Sequence, residues 1–231
     1  MMLSGMSTST SALLAEQQAL ALVAHDLANA NTPAHRPTEV AREDTASGVR
    51  LRDGGLSTAQ GPIAQTGGPL DLAIDGNGFF AVRGAGGTVE LTRDGRFGVN
   101  SAGRVAATTD GAELVPPITV PSGVTVSALE VAQDGAVSAG GVALGTIELV
   151  DVPAPERLLP TGEGRYAVTV ASGGPSPAAA GASRVQQGAL ELSGTDIVTS
   201  SVDLTTGKHS FAANIRALET QDEVGRALLG M

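Results

Sequence analysis

The sequence contains no cysteine and no tryptophan, and has only one tyrosine and four phenylalanines. Without cysteine, disulfide bonds, thiolate catalysis and cysteine-ligated zinc are excluded. Hydrophobic residues still make up 42 % of the chain, so its apolar content is mainly aliphatic and sufficient for a packed core. No run of 18 apolar residues occurs, and we therefore expect no membrane-spanning helix.

Basic residues are also scarce: 14 Lys and Arg stand against 24 Asp and Glu, which gives a formal net charge of -10. Phosphate contacts require clustered basic side chains, so nucleic-acid binding is not expected. The first 11 residues are uncharged and rich in Ser and Thr. They lack the basic and apolar regions of a secretory signal, and we expect no cleaved signal peptide. A cysteine-free chain also suits passage through an oxidising space in an unfolded state.

A helix is predicted near the N-terminus, because residues 11–30 contain neither Gly nor Pro and are rich in good helix formers. Three leucines recur at seven-residue spacing and form an apolar stripe with a nearby valine. The stripe consists of Leu13, Leu20, Val23 and Leu27. We expect the helix to end near Asn31 and Thr32, because Pro33 disfavours the helical conformation of the residue before it.

A second helix is predicted over residues 210–229, where apolar residues again recur at helical spacing. They are Phe211, Ile215, Leu218, Val224, Leu228 and Leu229. Gly225 weakens this helix, and Gly207 is expected to interrupt its continuity with residues 195–204. A helix with one apolar stripe is marginal alone in water. The two helices could therefore pack on each other as a coiled-coil-like stalk, on neighbouring copies, or on both.

The middle of the chain is typical of a β domain, with Gly-containing turns every 8–12 residues between short apolar runs. Leu70, Leu72 and Ile74 alternate onto one strand face. The Asp-Gly-Asn-Gly run at residues 75–78 predicts a hairpin turn into a second strand at 79–82. The expected fold class is thus mainly β, with a central all-β domain between long terminal α-helices.

Four segments follow from this pattern. Residues 1–36 and 193–231 are predicted to be helical polymerisation segments. Residues 37–66 are predicted to be an extended connector, and residues 67–192 the central β domain.

No residue pattern typical of a catalytic, cofactor or metal site is present. The three histidines (His25, His35 and His209) do not have metal-ligand spacing. The acidic turn over residues 71–77 does not place its glycine and glutamate as a calcium loop requires. There is no G-x-S-x-G nucleophile elbow. We therefore expect a protein that is not an enzyme and needs no cofactor.

Several motifs, in order along the chain, resemble those of the flagellar rod and hook protein family. They are Leu27–Pro33 (similar to the L-A-N-x-N-T signature), Thr66–Phe80, Leu91–Phe97, Gln187–Glu191, Phe211–Asn214 and Thr220–Glu223. The motif residues that carry the resemblance most specifically are Leu27, Asn29, Asn31, Thr32, Asp75, Gly76, Gly78, Phe79 and Phe80. The resemblance extends over nearly the whole chain.

The resemblance implies a structural subunit of the flagellar basal-body rod, which self-assembles into the axial drive shaft between motor and hook. It implies export through the flagellar type III apparatus, an extracytoplasmic location in the basal body, and contacts with copies of itself and other rod or hook subunits. Two alternatives remain open. One is a hook-type axial protein, and the other is a secreted β-domain binding protein with a helical oligomerisation stalk. The modest length favours a rod protein, either distal or proximal.

The expected assembly interface comprises the two helix stripes, Leu13, Leu20, Val23, Leu27, Phe211, Ile215, Leu218 and Leu228. The chain departs from the family pattern just after the first helix. Ala34 and His35 stand where the family usually has glycine and then an aromatic residue.

Overall fold

The computed structural model describes residues 2–45, 48–84, 86–179 and 181–229. It confirms a mainly β chain with one N-terminal and one C-terminal helix. The chain divides into two compact units. The helical unit comprises residues 1–30, 37–55 and 195–231, and the β unit comprises residues 31–36 and 56–194.

The helical unit is built from two long helices and a two-stranded ribbon. Its elements are α1 (Met2–Ala28), β1 (Thr38–Thr45), β2 (Gly48–Leu56, whose last residue belongs to the β unit) and α2 (Ile197–Leu229). α1 ends just before Asn29, whose side-chain Nδ2 donates to the carbonyl oxygen of His25 in the last turn of the helix. Neither helix, over its described residues, has a stretch apolar enough to cross a bilayer.

Asp196 caps the N-terminus of α2. Its carboxylate accepts the backbone N–H groups of Val198 (2.9 Å) and Thr199 (3.4 Å), together with the Thr199 hydroxyl (2.8 Å). From this cap α2 runs without interruption through Gly207. The expectation that Gly207 breaks the helix is therefore wrong, and the contact that this glycine makes explains its presence.

The β unit contains the remaining strands. In chain order they are β3 (Ile63–Gln65), β4 (Leu72–Gly76), β5 (Phe79–Arg83), β6 (Val89–Thr92), β7 (Phe97–Val99), β8 (Val105–Ala107), β9 (Glu113–Leu114), β10 (Leu129–Val131), β11 (Ala136–Ala139), β12 (Val142–Thr146), β13 (Leu149–Asp151), β14 (Leu159–Gly162), β15 (Arg165–Ala167), β16 (Ser176–Pro177), β17 (Ser183–Gln187) and β18 (Ala189–Glu191). The largest sheet has the order β14-β15-β6-β5-β9-β8-β7, with β13 pairing both β5 and β16. A second sheet has the order β10-β11-β12, and β4 pairs with β17 and β3 with β18.

Strand β5 lies between two apolar cores, because successive side chains of a strand point to opposite faces. Phe80 enters the larger core, where its ring meets Phe97 edge to face at 5.2 Å between centroids. Phe79 enters the smaller core and meets Tyr166 at 6.1 Å. Both members of the adjacent phenylalanine pair are thus buried. Leu70, Leu72 and Ile74 all lie in the larger core, as their alternation predicts.

The hairpin predicted at residues 75–78 is wrong. β4 pairs with β17, whereas β5 pairs with β6, β9 and β13. The chain therefore changes sheets at this turn. Gly76 is required for another reason: a Cβ atom there would lie 2.6 Å from the carbonyl oxygen of Ala182, beside the partner strand. The Asp-Gly signal marks a close approach of two backbones as well as a turn.

Part of the predicted connector over residues 37–66 is regular structure, since it contains β1, β2 and β3. Just before it, Ala34 is buried and has a φ of 58°. This left-handed conformation costs a non-glycine residue about 1–2 kcal/mol. The resemblance to the flagellar rod and hook family implies glycine at this position, and glycine adopts this conformation without that cost.

Acidification is expected to fray the first turn of α2. Hydrogen bonds from the Thr199 side chain, and then from backbone N–H groups, lower the pKa of Asp196 from its ordinary 3.8. A carboxyl group whose pKa is lower in the folded than in the unfolded state stabilises the folded state at pH values above the unfolded pKa. This stabilisation is lost as pH falls through the folded pKa. Relative to the intrinsic exchange rate at each pH, the protection of the Val198 and Thr199 amides should therefore fall below about pH 4.

The Asp196→Ala variant should show the faster exchange at neutral pH, whereas Asp196→Asn should keep the cap and lose the acid-dependent step. Equal protection of these amides in wild type and Asp196→Ala at pH 7 would contradict the capping role.

Candidate assembly site

The two helices of the helical unit meet at a point of close approach between Leu20 of α1 and Gly207 of α2. Gly207 is buried although its neighbours Thr206 and Lys208 are exposed. A Cβ atom on Gly207 would lie 2.6 Å from Leu20 Cδ2 and 3.2 Å from the Glu16 Oε1 atom. The absence of a side chain therefore lets α1 and α2 approach closely here, although glycine costs about 1 kcal/mol of helix propensity.

The covered face of α2 has a seven-residue repeat on either side of Gly207. Apart from Ser210, the covered positions among the described side chains form two interleaved rows, Leu204, Phe211 and Leu218 in one and Ser200, Gly207 and Asn214 in the other. Spacings of three and four residues keep such positions on one face of a helix. Phe211 and Leu218 were predicted for the interface and are half-buried on this face. Ile215 lies beside it and is 37 % exposed, and the Leu228 side chain is outside the part of the chain that the structure describes.

The four predicted stripe residues of α1 (Leu13, Leu20, Val23 and Leu27) are all half-buried. Among the described side chains of this helix, the most deeply buried are smaller or charged residues that the stripe missed. They are Ala15, Glu16, Ala19 and Asp26. Hydrophobicity alone could not have found them, because alanine gives a weak signal and an acidic residue is expected at the surface.

A cavity of about 320 Å³ lies at the helix contact. Glu16, Leu20 and Val23 of α1 line it on one side, and Asp203 and Gly207 of α2 on the other. The Leu20 side chain closely approaches Gly207 of α2, and yet it is only half-buried. The packing of the two helices within one chain is therefore incomplete, and further apolar surface remains to be covered.

A second cluster lies within the β unit, where the chain enters and leaves it. The Ala34 N–H donates to the carbonyl oxygen of Glu191 (2.9 Å), and the Gly194 N–H donates to that of His35 (2.9 Å). The entering and leaving segments are thus hydrogen-bonded to each other. We call this junction the clamp, comprising Arg36, Phe79, Arg93, Tyr166 and Glu191.

A buried ion pair forms the centre of the clamp. Arg93 Nη1 lies 2.9 Å from Glu191 Oε2, and both side chains are 2 % exposed. The other Glu191 oxygen accepts the Gly61 N–H (3.0 Å), and Arg93 Nη2 donates to the carbonyl oxygen of Gly76 (2.6 Å). These bonds tie the leaving segment to the backbone at Gly61 and to the motif segments that contain Gly76 and Arg93, all of which lie far from it in sequence.

Aromatic side chains surround the charges of the clamp. The guanidinium carbons of Arg36 and Arg93 lie 5.6 and 5.5 Å from the centroid of the Phe79 ring. Burial, and then the neighbouring charge of Arg93, lowers the pKa of Arg36. Burial also raises the pKa of Tyr166, so its phenol stays neutral. The arrangement fixes positions and holds a buried positive charge.

The clamp and the hydrogen bonds of Gln187 explain motif residues whose role the sequence did not reveal. Gln187 donates to the carbonyl oxygens of Pro69 and Leu129 and accepts the Val131 N–H, and so links three segments. Arg93 and Glu191 lie in quoted motifs but were not among the predicted site residues. Their charge did not distinguish them, because the same motifs hold other polar residues such as Asp94 and Gln187. Of the predicted motif residues, Phe79 joins the clamp and Gly76 bonds to it, whereas Asp75 is exposed on β4.

Filling the space above Gly207 should separate the helices. Gly207→Leu is expected to destabilise the helical unit by about 1–3 kcal/mol through overpacking against Leu20. Leu20→Ala in the same chain should recover part of the loss. Thermal unfolding followed by far-ultraviolet circular dichroism measures both. Ala213→Leu, on an exposed position of α2, is the control, and an equal loss in that variant would argue against a specific contact.

Breaking the clamp ion pair should destabilise the β unit strongly. Glu191→Gln leaves the Arg93 charge buried and unpaired, which costs about 3–5 kcal/mol. The matched control is Arg104→Gln, whose pair with Glu113 is 44 and 26 % exposed and should contribute no more than about 1 kcal/mol. Urea denaturation measures both changes. Similar midpoints for the two variants would rule out a central role for the clamp.

Comparison with known proteins agrees with the sequence motifs. Residues 73–139 match the flagellar hook protein FlgE/F/G D1 domain, and residues 186–231 match the flagellar basal body rod FlgEFG protein C-terminal family. The chain is 27 % identical to the flagellar basal-body rod protein FlgG of Buchnera aphidicola, with 94 % of this chain and 95 % of that protein covered.

Two further relatives extend over nearly all of the chain. The FlgG rod protein of Borreliella burgdorferi is 25 % identical over 96 % of each chain. The FlgF rod protein of Caulobacter vibrioides is 29 % identical over 90 % of this chain and 89 % of its own. Two family matches in the expected order, and relatives of nearly equal extent, lead to one conclusion. The chain belongs to the flagellar basal-body rod protein family.

Proposed function

We propose that this structural rod subunit polymerises through its two terminal helices and so forms part of the shaft that transmits torque from motor to hook. The terminal segments 1–36 and 193–231 act in assembly, residues 67–192 form the β domain, and residues 37–66 connect them. The subunit has a mechanical role and carries out no catalysis.

The observation that carries this proposal is the half-covered helix contact. Leu20 packs against Gly207, but Leu13, Leu20, Val23 and Leu27 all keep part of their surface exposed within one chain. Complete burial of a large aliphatic side chain contributes about 1.5–3 kcal/mol. Covering several such residues by helices of neighbouring copies would therefore supply a strong driving force for polymerisation.

In the polymer, the two helices of each subunit would pair as a coiled-coil-like stalk. The seven-residue repeat of Leu204, Phe211 and Leu218 supports this arrangement, because such a repeat keeps one face of a long helix against its partner. Glycine at position 207 fits a closely packed seam, since it lets two helix axes approach.

The subunit would reach its position through the flagellar type III export apparatus as an unfolded chain, and would then fold in the extracytoplasmic part of the basal body. The absence of cysteine supports this route, since no disulfide can form during passage. Its partners in the axial structure would be copies of itself and other rod or hook subunits.

A charge placed on the α1 stripe should prevent assembly. Leu20→Asp introduces a carboxylate next to Glu16 at the helix contact, where covering it by a second copy is costly. We expect loss of polymer in sedimentation and electron microscopy, with the unfolding transition of the β unit unchanged.

The matched control is Gln17→Asp, which introduces the same charge at an exposed position of α1. Polymerisation of the Leu20→Asp variant at the wild-type concentration would contradict the proposed role of the stripe.

A further inference from the structure

A polar cavity of about 380 Å³ opens beside the clamp of the β unit. Arg36, Phe79 and Arg93 contribute to its wall, and Asp151 and Glu156 line it as well. Phe79 and Arg93 belong to two motifs that lie apart in sequence, so separate parts of the chain converge on this space. We call it the clamp pocket.

Both arginines of the clamp pocket are more than nine-tenths buried, with 6 % of Arg36 and 2 % of Arg93 exposed. Arg36 Nη1 donates to the carbonyl oxygen of Ser57 (2.9 Å), and Arg93 uses Nη1 and Nη2 within the clamp. The Nε–H group of each arginine has no acceptor among the described residues. Buried polar groups are nearly always hydrogen-bonded, so this cluster lacks acceptors, although both Nε atoms are shielded from the cavity and an acceptor there would bind other N–H groups of the guanidiniums.

The charge balance supports the same conclusion. Glu191 is ion-paired with Arg93, and no described carboxylate lies within ion-pair distance of Arg36. Asp151 and Glu156 are half-buried, and one Asp151 oxygen accepts the Val152 N–H. The charges that act on the pKa of Arg36 are those of Arg93, Glu191 and Tyr166 rather than the two acids of the pocket wall. The buried cluster of two guanidiniums and one carboxylate therefore carries an excess positive charge.

We propose that the clamp pocket binds a carboxylate group, supplied by an acidic side chain of a second copy of this chain in the assembled rod. The inference rests on the proposed function, because only assembly brings a second copy to the pocket. A guanidinium is planar and its paired N–H groups match the two oxygens of a carboxylate. The chain itself provides such groups in excess, with 24 acidic residues and a net charge of -10.

The test is the critical concentration for polymerisation of the full chain, measured by sedimentation at fixed ionic strength. Arg36→Gln removes the charge that has no carboxylate partner and should raise the critical concentration about tenfold. Glu156→Gln removes a like charge from the pocket wall and should lower it several-fold, with little risk to folding. Arg83→Gln removes an exposed arginine elsewhere on the β unit and should leave the critical concentration unchanged.

Sodium acetate tests whether the pocket takes its carboxylate from the second copy, because free acetate would compete for the same site. If the pocket takes a carboxylate from the second copy, acetate should raise the wild-type critical concentration relative to sodium chloride at equal ionic strength, and Arg36→Gln should abolish the difference. An unchanged or higher critical concentration for Glu156→Gln would overturn the inference, as would equal effects of Arg36→Gln and Arg83→Gln. These results are distinct from failure of the wild-type chain to polymerise, which would overturn the proposed function instead.

Discussion

The carboxylate of Glu191 holds the β unit together at the place where the chain enters and leaves it. The two carboxylate oxygens of Glu191 bind Arg93 and the Gly61 N–H, and the backbone carbonyl of the same residue accepts the Ala34 N–H. Three segments that are distant in sequence are thus fixed at one residue. A buried ion pair is not in itself stabilising, because desolvation offsets its attraction, but losing one partner leaves an unpaired charge. The pair therefore specifies one arrangement of the chain ends.

The helical unit is held together by helix packing rather than by a buried ion pair. Its contact depends on close packing at Gly207, with a seven-residue repeat of covered positions on α2 and small or acidic residues at the centre of the covered face of α1. Such a seam contributes little in a single chain when its aliphatic residues stay half-exposed. The same feature makes it suited to association, because the uncovered apolar surface remains available to other copies.

Local sequence patterns predicted the fold class and the helix stripes. Leucines spaced seven residues apart can share a face only in a helix, and alternating apolar residues such as Leu72 and Ile74 can share a face only in a strand. These signals operate over a few residues. The Asp-Gly-Asn-Gly run was wrongly predicted to be a hairpin turn, because the strands on either side of it pair with other strands. β4 pairs with β17, more than a hundred residues further along the chain.

The candidate site was predictable only in part for the same reason. Arg93 and Glu191 lie 98 residues apart, and no local pattern pairs them. Gly207 appeared to be a helix breaker because propensity counts only the cost of glycine and ignores the packing that it permits against Leu20. Tertiary contacts overrode local preference at both positions.

Hydrogen exchange of the full chain, below and above the concentration at which it polymerises, tests the central claim most directly. If the terminal helices drive assembly, amides of α1 and α2 should be less protected in the dilute monomer than in the polymer, while the strands of the β unit are equally protected in both. Helices that are as fully protected in the dilute monomer as in the polymer would contradict this account.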